Sequence, residues 1–285
     1  MSITFEKVSH YYGEGTIYHQ EALKEINLAL PQGKVIAIVG ATGSGKTTLV
    51  QHLNALLLPS TGEIQVFDYH ITPKEKPAHV KGLRKQVGLV FQFPEYQLFE
   101  ETVLKDVSFG PKNFDVADQE ALEVSRRCLT AVGIEENQFE VSPLTLSGGQ
   151  KRRVAIAGIL ALDPRVLVLD EPTAGLDPQG SKAMMKLFLK LNQEEKKTII
   201  MVTHDMEHVL NYCDEVIVLD EGKVISYTST EVFFQNLELL ERLKINPPQV
   251  VSLKQKLIAK GFQIDPSIIK ESQLIEAILR EVQDE

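Results

Sequence analysis

The sequence predicts an α/β protein: a parallel-sheet core joined by an antiparallel β-subdomain, an inserted α-helical subdomain and a C-terminal helical extension. Three observations predict it. Short apolar runs such as "VIAIVG" and "VLVLD" alternate with helical stretches, the pattern of a parallel sheet covered on both faces. From about residue 94 to 160 helical periodicity interrupts the strands. After about residue 229 the strands stop.

Taken in order, Ile3 to Val8 alternates apolar and polar residues, as a half-exposed antiparallel strand does. "ALKEINLAL" alternates too and ends at the turn Pro31-Gln32-Gly33. "VIAIVG" is a buried strand followed by a helix from about Gly45, and "EIQVFDY" and "QVGLVFQ" are further strands. In the helical block, "QEALEVSRRCLTAVG" stops at Gly133, and "GGQKRRVAIAGILAL" places Val154, Ile156, Ala157, Ile159 and Leu160 after a glycine-rich start. Strands resume with "RVLVLD", "KTIIMVTH", "DEVIVLDEG" and "KVISYT", and the helical "QGSKAMMKLFLKLNQ" lies between the first two. "TEVFFQNLELLERL", "QVVSLKQKLIAKG" and "ESQLIEAILREVQ" read as three amphipathic helices separated by Pro247-Pro248 and Asp265-Pro266.

The 285 residues suit one large domain with an appendage, or two domains. A hydrophobic share of 43% against 24% charged residues is that of an ordinary globular chain. The net charge of -9 gives no encouragement to a nucleic-acid partner, and none is expected. Cys128 and Cys213 have no metal-like spacing and read as buried, reduced thiols. The N-terminus lacks the apolar core of a signal peptide, and no apolar run approaches the ~20 residues that span a bilayer. Any work at a membrane is then done from the side, through partners.

"GATGSGKT", Gly40 to Thr47, follows an apolar strand and opens a helix, the context that gives GxxxxGK[ST] its meaning as a phosphate loop. Gly40, Gly43 and Gly45 let backbone N–H groups turn inward without a Cβ in the way. Ala41, Thr42, Ser44 and Thr48 complete the stretch expected to bind nucleotide. Lys46 is expected on the β/γ-phosphates, and Thr47 offers its hydroxyl to Mg²⁺. "VLVLDE" ends a buried strand on two carboxylates. Asp170 is expected to hold Mg²⁺ through its water shell, and Glu171 to polarise the attacking water.

With these, "LSGGQ" (Leu146 to Gln150), "VLVLDEPTAGLD" and "THD" stand in an order that resembles the ATP-binding cassette (ABC) ATPases over roughly residues 1–228. The resemblance implies a P-loop ABC ATPase core that hydrolyses ATP with Mg²⁺. It implies that Gln92 senses Mg²⁺ and the water, that Asp177 crosses a dimer interface, and that His204 contacts the γ-phosphate. Tyr12 in "VSHYYG" would stack on adenine, or Tyr11 if the register slips by one. Ser147, Gly148, Gly149 and Gln150 open a helix with a hydroxyl and free N–H groups but no lysine, an anion site suited to covering a second chain's ATP.

"VFQFPEYQLFEETV", Val90 to Val103, ends a core strand on Gln92 and then displays Phe93, Tyr96, Leu98 and Phe99. This set either docks a partner or packs the subdomain's own small core. Lys151, Arg152 and Arg153 either meet acidic partner groups or form a solvated helix face. The stretch resembles the ATPases of energy-coupling factor (ECF) importers, of cobalt or vitamin type. Their architecture implies a second ATPase subunit (a paralogue favoured, an identical chain possible), a transmembrane scaffold protein and a small membrane substrate-binding protein. It also implies a peripheral place on the cytoplasmic face of the cell membrane, with the helices after 229 joining the two ATPases. The alternative is a soluble, nontransport ABC ATPase.

Overall fold

The structure is a computed structural model that describes residues 3–283 except 14, 16 and 18. The first part runs β1 (Ile3–Tyr12), β2 (Gln20–Leu30), β3 (Val35–Val39), α1 (Lys46–His52), β4 (Thr61–Val66), β5 (Tyr69–Ile71), α2 (Val80–Gln86) and β6 (Val87–Val90). Three helices follow, α3 (Val103–Asn113), α4 (Asp118–Ala131) and α5 (Gly148–Leu160). The alternation then resumes with β7 (Val166–Asp170), α6 (Pro178–Glu195), β8 (Thr198–Val202), α7 (Met206–Tyr212), β9 (Glu215–Asp220) and β10 (Lys223–Ser229). The chain closes with α8 (Thr230–Gln235), α9 (Leu237–Arg242), α10 (Gln249–Ala259) and α11 (Glu271–Gln283).

Two sheets organise these elements. One is antiparallel, in the order β2-β1-β4-β5. The other runs β10-β9-β3-β8-β7-β6, with β9 to β6 parallel and β10 antiparallel at the edge. Successive residues of β3 point to opposite faces, and both faces are covered, so the strand is apolar throughout. Ile36 and Ile38 join Leu49 and Val50 of α1, Leu53 just after it, and the antiparallel sheet in one core. Val35, Ala37 and Val39 join α3–α6 in the other. That second core continues into Phe233, Phe234, Leu240, Val251 and Ile269, so α8, α9 and α10 are seated on the parallel-sheet body.

Four details depart from the sequence reading. β1 loses its alternation where Lys7 takes φ 48° and the register to both neighbours shifts, so that Val8, Ser9 and His10 are all buried. "EIQVFDY" is two strands, because the chain turns at Phe67 (φ 54°) between β4 and β5. "TEVFFQNLELLERL" is also two elements: Asn236 leaves the helical region, and its side chain accepts from the Leu239 N–H to start α9. Cys213 is buried as expected, but Cys128 is only half-buried.

Candidate nucleotide site

The parallel sheet brings the motifs together. The carboxyl ends of β3, β8, β7 and β6, adjacent in the sheet, lead into Gly40, Thr203-His204, Asp170-Glu171 and Phe91-Gln92. Open α/β sheets bind ligands in the crevice outside those ends.

The phosphate loop needs its glycines for two separate reasons. Gly40, Gly43 and Gly45 take φ of 149°, 80° and 102°, conformations that L side chains rarely adopt. A Cβ on Gly40 would lie 2.1 Å from the Leu219 carbonyl oxygen, and one on Gly45 2.5 Å from that of Ala22. Gly43 has open space instead. The loop is thus pressed onto β9 and β2 on one side and open on the other. The buried Ser44 Oγ has no hydrogen-bond partner among the described residues. This donor set, with exposed Ala41, Thr42 and Gly43 on the open side, fits a polyphosphate.

Lys46 Nζ donates to the carbonyls of Gly40 (2.8 Å) and Ala41 (2.7 Å), so its charge is held over the loop. Burial pulls this ammonium below the usual lysine range, and the carboxylates of Glu171 and Asp170 oppose the shift. Thr47 Oγ1 donates to Asp170 Oδ2 at 3.1 Å. Burial raises Asp170 above the usual carboxylate range. The Thr47 bond counters that shift and the neighbouring Glu171 adds to it. Glu171 takes φ 51°, a strained conformation for a non-glycine residue, while its N–H donates to the Val202 carbonyl. That turn sets its Oε1 2.8 Å from His204 Nδ1, with His204 almost fully exposed.

Tyr12, not Tyr11, reaches the phosphate-loop helix: its hydroxyl shares a 3.1 Å hydrogen bond with Thr48 Oγ1. Tyr11 stacks on His19 instead. Beneath Tyr12 lie His10, edge-on at 4.7 Å, and the fully buried His52.

Residues 23–174 match the family model described as ABC transporter. The chain belongs to the ABC transporter family. It is 47% identical over 284 residues to the energy-coupling factor transporter ATP-binding protein EcfA2 of Enterococcus faecalis, covering 100% of this chain and 98% of that one. It is 51% identical over 278 residues to EcfA2 of Streptococcus pyogenes, covering 98% and 99%. Among solved structures, cbiO1 from Clostridium perfringens, part of the ABC transporter complex cbiONQ, superposes with a TM-score of 0.71 at 39% identity over 89% of this chain and 98% of that one. The dimeric ATP-binding cassette MJ0796 in its post-hydrolysis state with ADP and Pi gives 0.73 at 31% identity over 80% and 98%. The fold is that of an ABC ATPase, and the chain is an ATP-hydrolysing member of the family.

Of the remaining motif residues of this ABC ATPase, Gln92 lies at the end of β6, and the others stand apart from the sheet ends. Ser147 caps α5 with a capping box: its Oγ accepts from the Gln150 N–H, and Gln150 Oε1 accepts from the Ser147 N–H. Gly148 and Gly149 then offer N–H groups at a helix start, where none has an intrahelical acceptor. Asp177 is exposed at the N-cap of α6, and Gln92 is exposed after β6.

Gln92 is followed by a rigid display of aromatics. Phe93 takes φ 59°, Pro94–Gln97 form a 3-10 turn, and the Phe99 and Glu100 N–H groups both donate to Asp106 of α3. Phe93, Tyr96 and Phe99 are 49%, 86% and 65% exposed, so they do not pack the subdomain's core; only Leu98 does. Neither expectation for the basic triplet holds at Arg152. It is buried, 3.5 Å from Glu95 Oε2, with its guanidinium over the Phe93 ring. Arg152 stands four residues before Ile156, and that spacing marks the buried face of α5. Arg153 donates to the Gly133 carbonyl.

The sequence reading also missed Thr173, Ser181 and His208, which with Glu171 and His204 line a cleft of about 490 Å³. His208 lies four residues after His204, but nothing in that spacing points to Ser181.

Proposed function

We propose that this chain is the energy-coupling ATPase subunit of an ECF-type importer, driving uptake of a vitamin or a transition-metal ion. The observation that carries this reading is the full-length likeness to proteins named EcfA2, which extends through the C-terminal helices. Among the described residues no helix is long and apolar enough to cross a membrane. In this reading the chain works peripherally, on the cytoplasmic face, through membrane partners. Division into an ATPase domain at 1–228 and a helical extension at 229–285 belongs to the same reading. So does a set of partners: a second ATPase subunit, favoured as a paralogue, a transmembrane scaffold, and a small substrate-binding membrane protein. The solved relative cbiO1 is itself part of a complex.

In the proposed mechanism the phosphate loop and Lys46 bind the phosphates, and Tyr12 stacks on the adenine. Thr47, Asp170 and Gln92 would hold Mg²⁺, whose charge offsets that of the phosphates. Glu171 orients and polarises the attacking water, and His204, bonded to it, meets the γ-phosphate. Ser147, Gly148, Gly149, Gln150 and Asp177 act on the ATP of the second ATPase. The exposed Phe93, Tyr96 and Phe99 receive a helix of the scaffold next to Gln92, so nucleotide state and docking share one loop. Leu253, Ile258, Ile275 and Leu279, apolar and exposed on α10 and α11, support a dimer contact there.

The test is to tag the chain in its own host, solubilise the membranes in mild detergent and identify what co-purifies by native mass spectrometry. Recovery of a second ATPase with two membrane proteins is expected. A soluble homodimer without membrane companions would leave the ATPase chemistry and overturn the transport role.

A further inference from the structure

We infer that His208 is a positioning residue that ties the segment carrying Asp177 to the Glu171–His204 pair. This rests on the roles proposed above for Glu171 and Asp177. His208 lies in the first turn of α7, and its ring enters the cleft beside Glu171. Its Nε2 is 3.2 Å from Ser181 Oγ, and its Nδ1 is 3.5 Å from Thr173 Oγ1 and 3.4 Å from Asp205 Oδ2. These three partners come from three segments. Thr173 follows Glu171 by two residues. Ser181 closes the first turn of α6, its N–H donating to the Asp177 carbonyl at 2.8 Å. Asp205 follows His204 and caps α7 by accepting the His208 N–H.

One imidazole therefore spans the loop after Glu171, the helix start that holds Asp177, and the helix start behind His204. Both ring nitrogens face polar partners, and the ring edge packs on Tyr212. A histidine that merely met solvent would have no reason to engage all three. A shift of Asp177 against a second subunit moves Ser181, and through His208 it moves the segments that follow Glu171 and His204. His208 does not touch substrate in this reading. It sets where the two residues that do are held.

The test uses the chain in its assembled, co-purified complex and compares wild type with S181A, H208A, H208Q, the S181A/H208A double variant and E171Q. E171Q sets the floor contributed by the partner ATPase. Expected are kcat values for S181A and H208A lowered by about tenfold, the scale of one net hydrogen bond. KM and nucleotide affinity should stay within about twofold of wild type. The double variant should be no slower than the slower single, and H208Q, whose amide reaches Ser181, should recover most of the loss. S181A removes one hydroxyl and decides the matter if H208A fails to assemble. Wild-type kcat in S181A and H208A beside a slow E171Q would overturn the inference and leave the catalytic reading intact. Losses that add in the double variant, or that appear as raised KM, would also overturn it. Wild-type turnover in E171Q would bring down the Glu171 assignment and this inference with it.

Discussion

His52 allows a stability prediction worked from the structure. It is fully buried on α1, the helix that carries Lys46, Thr47 and Thr48. A carbonyl only accepts, so the 2.7 Å contact to the Thr48 carbonyl places the ring proton on Nδ1. The other nitrogen, Nε2, is buried without a hydrogen-bond partner among the described residues. Protonating it would bury a charge that the Thr48 and Leu58 carbonyls offset only in part. Burial accordingly lowers His52 from 6.5 to about 4, against the opposing pull of the Thr48 carbonyl. Above pH 6.5 the ring is neutral both folded and unfolded, and its contribution to stability is complete. Between 6.5 and 4 the unfolded chain takes up a proton that the fold excludes, so stability falls with acidification. At roughly 1.4 kcal/mol per pH unit the loss totals about 3 kcal/mol, of which about 2 kcal/mol falls between pH 7 and pH 4.5. His52→Asn keeps an amide donor for Thr48 and cannot titrate. Urea unfolding followed by circular dichroism, at both pH values, should show wild type losing about 2 kcal/mol relative to the variant. Raised carboxylates such as Asp106 and Asp170 are common to both proteins and cancel in the difference. His10, edge-on to His52 and also lowered by burial, titrates in both and differs only through its coupling to His52. A wild-type-minus-variant difference that stays constant with pH would refute the burial argument.

Glu171→Gln should keep ATP affinity and slow single-turnover hydrolysis by at least ~10²-fold; a near-normal rate would remove Glu171 from the chemistry. Gly45→Ala should lower stability by more than the ~1–2 kcal/mol of a left-handed backbone alone, because its Cβ would also meet the Ala22 carbonyl. Gly43→Ala has no such contact and should be the milder of the two in a thermal melt. Replacing Phe93, Tyr96 and Phe99 together by Ser should cost less than about 2 kcal/mol of stability, as their exposure allows. The same variant should lose its membrane partners on co-purification while binding ATP normally, and intact co-purification would take the patch out of the docking site.

What the sequence made legible were features whose physical requirement is local. The phosphate loop is such a feature, since three glycines, a lysine and a threonine between strand and helix state both the backbone conformation and the ligand. Strand existence was equally plain, because β3, β6, β7 and β8 are covered on both faces and carry no polar interruption. Strand order was not legible: that β8 lies between β3 and β7 depends on how the crossovers pack. Asn236 hid a helix break because "FFQNLELL" keeps helical apolar spacing through it. Arg152 misled because it shares a triplet with Lys151 and Arg153, yet its side chain turns inward to Glu95 and Phe93. His208 and Ser181 were invisible for a different reason, since their meeting is made by the packing of α6 on α7.

The proposed roles give the chain two anion sites of unlike chemistry, and the difference decides how a paired ATPase would act as a switch. One has Lys46, two carboxylates and a histidine, and can both bind and hydrolyse. The other has only the Ser147 hydroxyl and the Gly148 and Gly149 N–H groups at the start of α5, and can bind but not react. Shifting a two-state equilibrium from 1:99 to 99:1 takes about 5.5 kcal/mol of differential affinity. Hydrogen bonds to a charged group contribute about 1.5–3 kcal/mol each, so three donors on a terminal phosphate supply roughly 5–9 kcal/mol. The middle of that range exceeds the requirement, so one such contact is of the size needed to close the pair, and losing the terminal phosphate is of the size needed to open it. A signature without a base suits that task, because it contributes to the closed state only while ATP is intact. It follows that the two composite sites of a heteromeric pair need not be equally active for the cycle to run.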